Sequence, residues 1–373
     1  MNSQYAIHDT SRIFSPGLVF FKDLIRRNVA EAIRIAGSAG RLRPHVKTHK
    51  TRQIVELELA QGITKHKCAT VAEAEMVARA GAPDVLLAYP LVGPNCARFA
   101  RLVQSYPACQ FTAIADHPAS VQALSSALLA QKQEADVLID VDVGQQRTGI
   151  AAGPAAEELY ELIQSLPGVR PGGFHVYDGH NHQDALADRE TAVREQLGPV
   201  LQMRESLLKK GLLVPRLVLG GTPTFPVHAR MDLPGIELSP GTCFLHDEGY
   251  GGHFLDMNGF VPAALLLTRV VSKPSPGRLT LDLGYKAVAS DPPAEKRCRL
   301  LDLPDARIVL QNEEHLVVET AAADRADPGD VFFAVPYHIC PTCALHRFAY
   351  VIEGGNVVER WDIVARDREL HVA

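Results

Sequence analysis

The chain has no long apolar run. Nowhere in its 373 residues does one reach the roughly 18 needed to cross a bilayer. Its N-terminus, MNSQYAIHDTSR, has no basic region followed by an apolar segment, so no secretion signal is expected. It also lacks an excess of positive charge. Thirty-eight Lys and Arg against 43 Asp and Glu leave a net charge of −5. That argues against a general nucleic-acid binder, which needs a basic face to displace counterions. A disulfide framework is missing too. The cysteines number seven, an odd count, and Cys68, Cys96, Cys109, Cys243 and Cys298 are scattered singly. A reducing compartment fits this usage. The expectation is a cytoplasmic protein with neither membrane nor nucleic acid as partner. No internal repeat or low-complexity segment stands out.

What the chain does have is a large apolar content, 46% of residues, and a length suited to one barrel plus a smaller domain. From about residue 20 to 240, short β-branched runs alternate with helix-like runs. The strand candidates are RLRPHVK (41–47), KHKCA (65–69), DVLLAYP (84–90), QFTAIAD (110–116), ADVLIDVDVG (135–144), GGFHVYDG (172–179), RLVLGG (216–221) and GIELSPG (235–241). Segments such as TVAEAEMVARAGA carry helical spacing between them and end at Gly or Pro. This alternation predicts a (β/α)8 barrel. After about residue 240 the texture changes to short strands and turns, with hairpin signals at GRLT and EGGN. The predicted domains are a barrel over 16–240 and an all-β domain over 241–373, joined by residues 1–15.

Barrels place their chemistry at the C-terminal ends of the strands. Lys47 and His49 end the first candidate strand, and Cys68 and Thr70 the second. Arg147 follows the fifth. His175, Tyr177, Asp178, His180 and His182 end the sixth. Gly221–Thr222 and Gly241–Thr242 follow the seventh and eighth, where barrels commonly bind phosphate through backbone N–H groups. The bland reading of each glycine pair is a simple turn. Lys47 is set among Arg43, His45 and His49. In a barrel mouth, burial and those cations favour its neutral amine, which reacts with aldehydes. A lysine and a phosphate site together suggest pyridoxal phosphate. Arg147 faces either the ring oxygen or a carboxylate, and its plain alternative is an ion pair with Asp140 or Asp142. In VPYHICPTCALH (335–346), His338 and Cys340 are two apart and would point the same way on a strand. Both are zinc ligands, and two protein ligands leave a metal open to substrate. A redox reading of CPTC is disfavoured by its place late in a β region. Cys343 and His346 are then packing or supporting residues.

Taken together, RPHVKTHK (43–50), KCATVAEAE (67–75), DVDVGQQRTG (140–149), HVYDGHNH (175–182), LGGTPTF (219–225), ELSPGT (237–242) and PYHICPTCALH (336–346) resemble the D-threonine aldolase and D-serine dehydratase family. These are fold-type III pyridoxal-phosphate enzymes related to alanine racemase through the barrel. The resemblance covers nearly the whole chain in order. It implies that Lys47 bonds the cofactor, that Gly221, Thr222, Gly241 and Thr242 surround its phosphate, and that Arg147 lies near the ring hydroxyl. It implies Tyr177 near the ring, His180 or His182 as acid–base group, and a divalent metal on His338 and Cys340. It also implies a homodimer acting on a small D-amino acid.

Within the family, His-x-Asp goes with metal-dependent aldolases and His-x-Cys with zinc-dependent dehydratases. Thiolate prefers zinc over manganese or magnesium. On Cys340, the sequence favours a D-serine dehydratase-like lyase, with D-threonine aldolase as the alternative. A racemase would need a second base on the other ring face. A non-enzymatic carrier of the cofactor would be a barrel alone, without the HIC-bearing domain.

Overall fold

The protein is described here by a computed structural model, which covers residues 3–370. The chain divides into two compact units. One holds Ile33–Lys47, Val55–Gly241 and the segment from Asp367. The other holds the N-terminal segment through Ala32, Thr48–Ile54 and Thr242–Arg366.

The first unit is the expected parallel barrel. Its parallel strands run in the order Lys65–Cys68, Asp84–Leu87, Gln110–Ala115, Ala135–Asp142, Val169–Val176, Leu217–Leu219 and Ile236–Leu238. These strands are buried almost throughout, which is why they read as unbroken apolar runs. An interior layer is made by Leu86, Ile114, Leu138 and Val218. Prolines at the first turn start the helices Pro94–Ser105, Pro118–Ala130 and Pro154–Ser165.

The expected first strand, 41–47, is not a strand. Ala39–Arg41 and Val46–Thr48 are 3-10 turns, and the residues between them form only isolated bridges, Leu42 with Leu238 and His45 with Lys67. Pro44 is the physical reason, because it has no N–H for a ladder. The segment still closes the ring. Arg43 and His45 donate N–H bonds to Leu238 O and Pro240 O, each at 2.8 Å, while Pro44 O accepts from Lys67 N at 2.8 Å.

The second unit is built on a nine-stranded mixed sheet. Ala264–Ser272 pairs with Gly17–Phe21, Arg278–Leu281 and Val331–Pro336, all antiparallel. Gly17–Phe21 also pairs in parallel with Phe348–Glu353. Gly17–Phe21, which the sequence division places with the barrel, form a central strand of this sheet. The C-terminal DIVARD (362–367) contains the 3-10 turn Val364–Arg366. The EGGN hairpin is present, with Gly354 and Gly355 at φ of 56° and 78°, a pairing that glycine tolerates. Val19, Phe21, Leu265, Leu267, Phe333 and Tyr350 anchor the core of this unit.

Candidate active site

In the barrel unit, the expected residues gather around Tyr177. The Nζ atoms of Lys47 and Lys67 each lie 5.7 Å from its ring centroid, and Arg147 Cζ lies at 5.0 Å. Among the described residues none of these three cations makes an ion pair. Arg147 therefore does not pair with Asp140 or Asp142. Asp140 instead accepts from His175 Nδ1 at 2.7 Å and from Thr148 Oγ1 at 3.0 Å. Asp142 accepts from the backbone of Gly144 and Gln146. Burial disfavours the Asp140 carboxylate, but His175, Thr148 and Arg147 outweigh burial and hold its pKa below the usual carboxylate value.

Lys47 sits in the turn Val46–Thr48 rather than at a strand end, and its N–H donates to His45 Nδ1 at 3.3 Å. Arg43 is turned to carboxylate partners. Its guanidinium is 1% exposed and binds Glu237 at 2.5 Å and Asp84 at 2.7 and 2.9 Å. It anchors the turn while its charge is matched elsewhere.

The glycine loop after Leu217–Leu219 is tightly packed. Gly220 has φ of 78°, and a Cβ there would meet His228 Cδ2 at 2.6 Å. A Cβ on Gly221 would meet Tyr177 Cε2 at 3.0 Å. Gly221 N donates to Thr224 Oγ1 at 3.3 Å, and Gly241 N donates to Thr222 Oγ1 at 3.1 Å. Thr224 Oγ1 in turn donates to Asp178 Oδ1 at 2.7 Å, while Asp178 Oδ2 meets His228 Nε2 at 2.8 Å. This buried chain fixes the loop's shape. His180 is half-buried, and its Nδ1 and His175 Nε2 are buried without hydrogen-bond partners. His182 is exposed.

These features fit pyridoxal phosphate. Unmatched cations and glycines that leave no room for a Cβ suit an anionic, planar ligand. A lysine amine suits its aldehyde.

In the second unit, His338 and Cys340 are not on a strand. His338 immediately precedes the helix Ile339–Leu345, without a side-chain capping bond, and Cys340 lies in its first turn. Their side chains are nonetheless near enough for Cys340 to act on the His338 charge. Asp291 Oδ2 holds His338 Nδ1 at 2.5 Å, the supporting contact usual for a metal-binding histidine. Burial pushes His338 down, but Cys340 and then Asp291 outweigh it and raise its pKa to about 9. Asp247 accepts from Ile339 N at 3.0 Å and so pins the helix start. Burial lifts the Asp247 carboxyl to about 6. The hydroxyls of Thr48 and Thr242 lie 3.2 and 3.5 Å from Cys340 Sγ. These two residues follow Lys47 and Gly241 in the chain. Thr342 Oγ1 donates to His338 O at 2.8 Å. No group of three His, Cys, Asp or Glu ligands exists among the described residues. A nitrogen–sulfur pair with a carboxylate support fits an open divalent-metal site rather than a closed structural one. Cys343 is buried and His346 bonds Ala287 O at 2.8 Å, so both serve packing.

Lys67, Thr224 and His228 are not picked out from sequence, nor are the pairing of His175 with Asp140 and the Asp178–Thr224–His228 chain. Lys67 had a signal, a lysine inside a short run that must be buried as a parallel strand. The other two depend on long-range pairings that spacing does not show. No helix among the described residues is long and apolar enough to cross a membrane.

The chain matches the family described as "Alanine racemase, N-terminal domain" over residues 22–244, and "Putative serine dehydratase domain" over 263–352. It is 31% identical to a D-threonine aldolase from an Arthrobacter species, over 87% of this chain and 85% of that protein. It is 25% identical to a D-threo-3-hydroxyaspartate dehydratase from Delftia, over 93% of this chain and 96% of that one. The crystal structure of a D-threonine aldolase from Filomicrobium marinum superposes with a TM-score of 0.88 at 28% identity, covering 95% of this chain and 96% of the other.

Proposed function

The chain belongs to the alanine racemase N-terminal domain family, among its fold-type III pyridoxal-phosphate lyases, and on that premise we propose that it cleaves β-hydroxy D-amino acids by a retro-aldol reaction with a divalent metal. The observation that carries this reading is the ranking of its relatives. Both D-threonine aldolases are more similar to it than the Delftia dehydratase. The order of preference drawn from Cys340 alone is thereby exchanged. Dehydration to a 2-oxo acid and ammonia is the second reading, and the His-x-Cys pair is what favours it.

Pyridoxal phosphate, when bound, supplies an electron sink for the bond that breaks at Cα. Lys47 is the amine proposed to bond its aldehyde. Gly221, Thr222, Gly241 and Thr242 are proposed to surround its phosphate, with the Gly221 and Gly241 N–H groups exchanging the Thr224 and Thr222 hydroxyls for phosphate oxygens, in a loop held by Asp178 and Thr224. Arg147 and Tyr177 are proposed to face its ring. His338 and Cys340 are proposed to hold the metal, a Lewis acid for the substrate's β-hydroxyl. Zinc is favoured over manganese by the thiolate. Of the two candidate histidines, His180 is preferred as acid–base group, because it is half-buried with Nδ1 unpartnered while His182 is exposed.

The test supplies purified protein with pyridoxal phosphate and zinc, then manganese, and follows D-threonine by proton NMR. Glycine with acetaldehyde is expected, and L-threonine should be inert. 2-Oxobutyrate with ammonia would establish the second reading. No turnover of D-threonine or D-serine with either metal would refute both.

A further inference from the structure

Lys67 is a buried lysine in the interior of the barrel, on the strand Lys65–Cys68. Its register partner is Leu86, and paired neighbours on parallel strands point to the same face. Leu86 belongs to the apolar interior layer, so Lys67 places an amine where the neighbouring strands place hydrocarbon. The side chain is 2% exposed. The backbone ties it to the RPHVKTHK segment through the His45 bridge and the Lys67 N to Pro44 O bond. Lys47 and Lys67 thus approach one aromatic ring at the same distance, 5.7 Å.

A structural lysine in such a place would be matched by a carboxylate. Lys67 is not. The groups that act on it are Lys47 and Arg43 from the closing segment, Asp140 and His175 from their strands, and Asp178 from the loop beyond. Each carboxylate already has other partners, Asp140 on His175 and Thr148, Asp178 on Thr224 and His228. Burial and the Lys47 charge push the Lys67 ammonium down, Asp140 and Asp178 oppose them, and the pKa settles at about 7.

We propose that Lys67 is a second working amine of the barrel mouth, a proton acceptor that acts beside Lys47 on the same bound amino acid. This rests on the lyase reading above. In its neutral form the amine takes the substrate's β-hydroxyl proton as that O–H bond breaks and the aldehyde forms, becomes an ammonium, and returns the proton to Cα of the glycine product. It neither gains nor loses electrons.

Pyridoxal phosphate itself is the probe. The unsubstituted protein, K47A and K47R are each mixed with it at a series of pH values, reduced with borohydride and peptide-mapped. The unsubstituted protein should carry the label on Lys47. Both variants should carry it on Lys67, with a yield that rises through pH about 7 in K47R, which keeps the neighbouring charge, and at higher pH in K47A, which removes it. Label on Lys47 in the parent but none on Lys67 in folded K47A or K47R would overturn the inference and leave the lyase reading intact. No label on either lysine would overturn both. K67M, close in shape and suited to the apolar layer, supplies the second readout. It should still label at Lys47, lose about 100-fold or more in kcat, and regain part of it with added methylamine. Turnover within about threefold of the parent, or no recovery with methylamine, would overturn the proton-transfer role.

Discussion

Replacing Arg43 with methionine should destabilise the barrel strongly although Arg43 is not placed in contact with substrate or cofactor. The guanidinium is almost wholly buried and makes three carboxylate contacts, one with Glu237 and two with Asp84. Glu237 and Asp84 have side-chain exposures of 8% and 18%, so R43M leaves two largely buried acids without their main counter-charge. Breaking a buried pair in this way costs about 3–5 kcal/mol. Lys65 remains 3.0 Å from Glu237 and should keep the loss near the lower end, about 3 kcal/mol. For a unit of this size that is a fall in Tm of about 6–12 °C. Urea unfolding would measure it as a lower midpoint at constant slope. The triple variant R43M/D84N/E237Q should recover most of the loss, because no buried carboxylate is left without its counter-charge and Lys65, which loses Glu237, is partly exposed to water. Because Arg43 anchors the turn that presents Lys47, borohydride labelling of Lys47 should fall in R43M and recover in the triple variant. A loss below about 1 kcal/mol for R43M, or a triple variant no more stable than the single one, would refute the reasoning.

Other outcomes follow from the same geometry. D178A removes the acceptor for Thr224 and His228 and should loosen the Gly220–Gly221 loop, weakening pyridoxal phosphate binding by about 10–100-fold in a dialysis titration. Zinc must displace a proton from His338, whose pKa is raised to about 9, so zinc affinity should rise about tenfold per pH unit between roughly pH 6.5 and 9 in a chelator competition. In metal-free protein the sign is opposite for stability. The His338 contribution is present below about pH 6.5 and is lost as pH rises through about 9. A flat zinc titration would refute the pairing with Cys340 and Asp291. C340A should lower zinc affinity by a larger factor than C343A, because Cys343 is buried as packing.

The barrel was legible because parallel strands such as Ala135–Asp142 are buried on both faces and so appear as apolar runs separated by helical periodicity. The closing segment was misread because RLRPHVK has strand-like composition, and only Pro44 warns that it cannot ladder. Gly17–Phe21 was assigned to the barrel because its partners, Ala264–Ser272 and Phe348–Glu353, lie some 250 to 330 positions away. HIC was placed on a strand because three residues cannot distinguish a period of two from the first turn of a helix. The cations around Tyr177 were partly visible as strand-end residues. Their lack of carboxylate partners was not, since nothing in the spacing shows that Asp140 binds His175 instead of Arg147.

The most direct test of the central claim is to reduce the unsubstituted protein with borohydride in the presence of pyridoxal phosphate and map the modified peptide. A single modification on Lys47 is the predicted result. No modification, or one confined to another lysine, would contradict the assignment of this barrel as a pyridoxal-phosphate site built on RPHVKTHK.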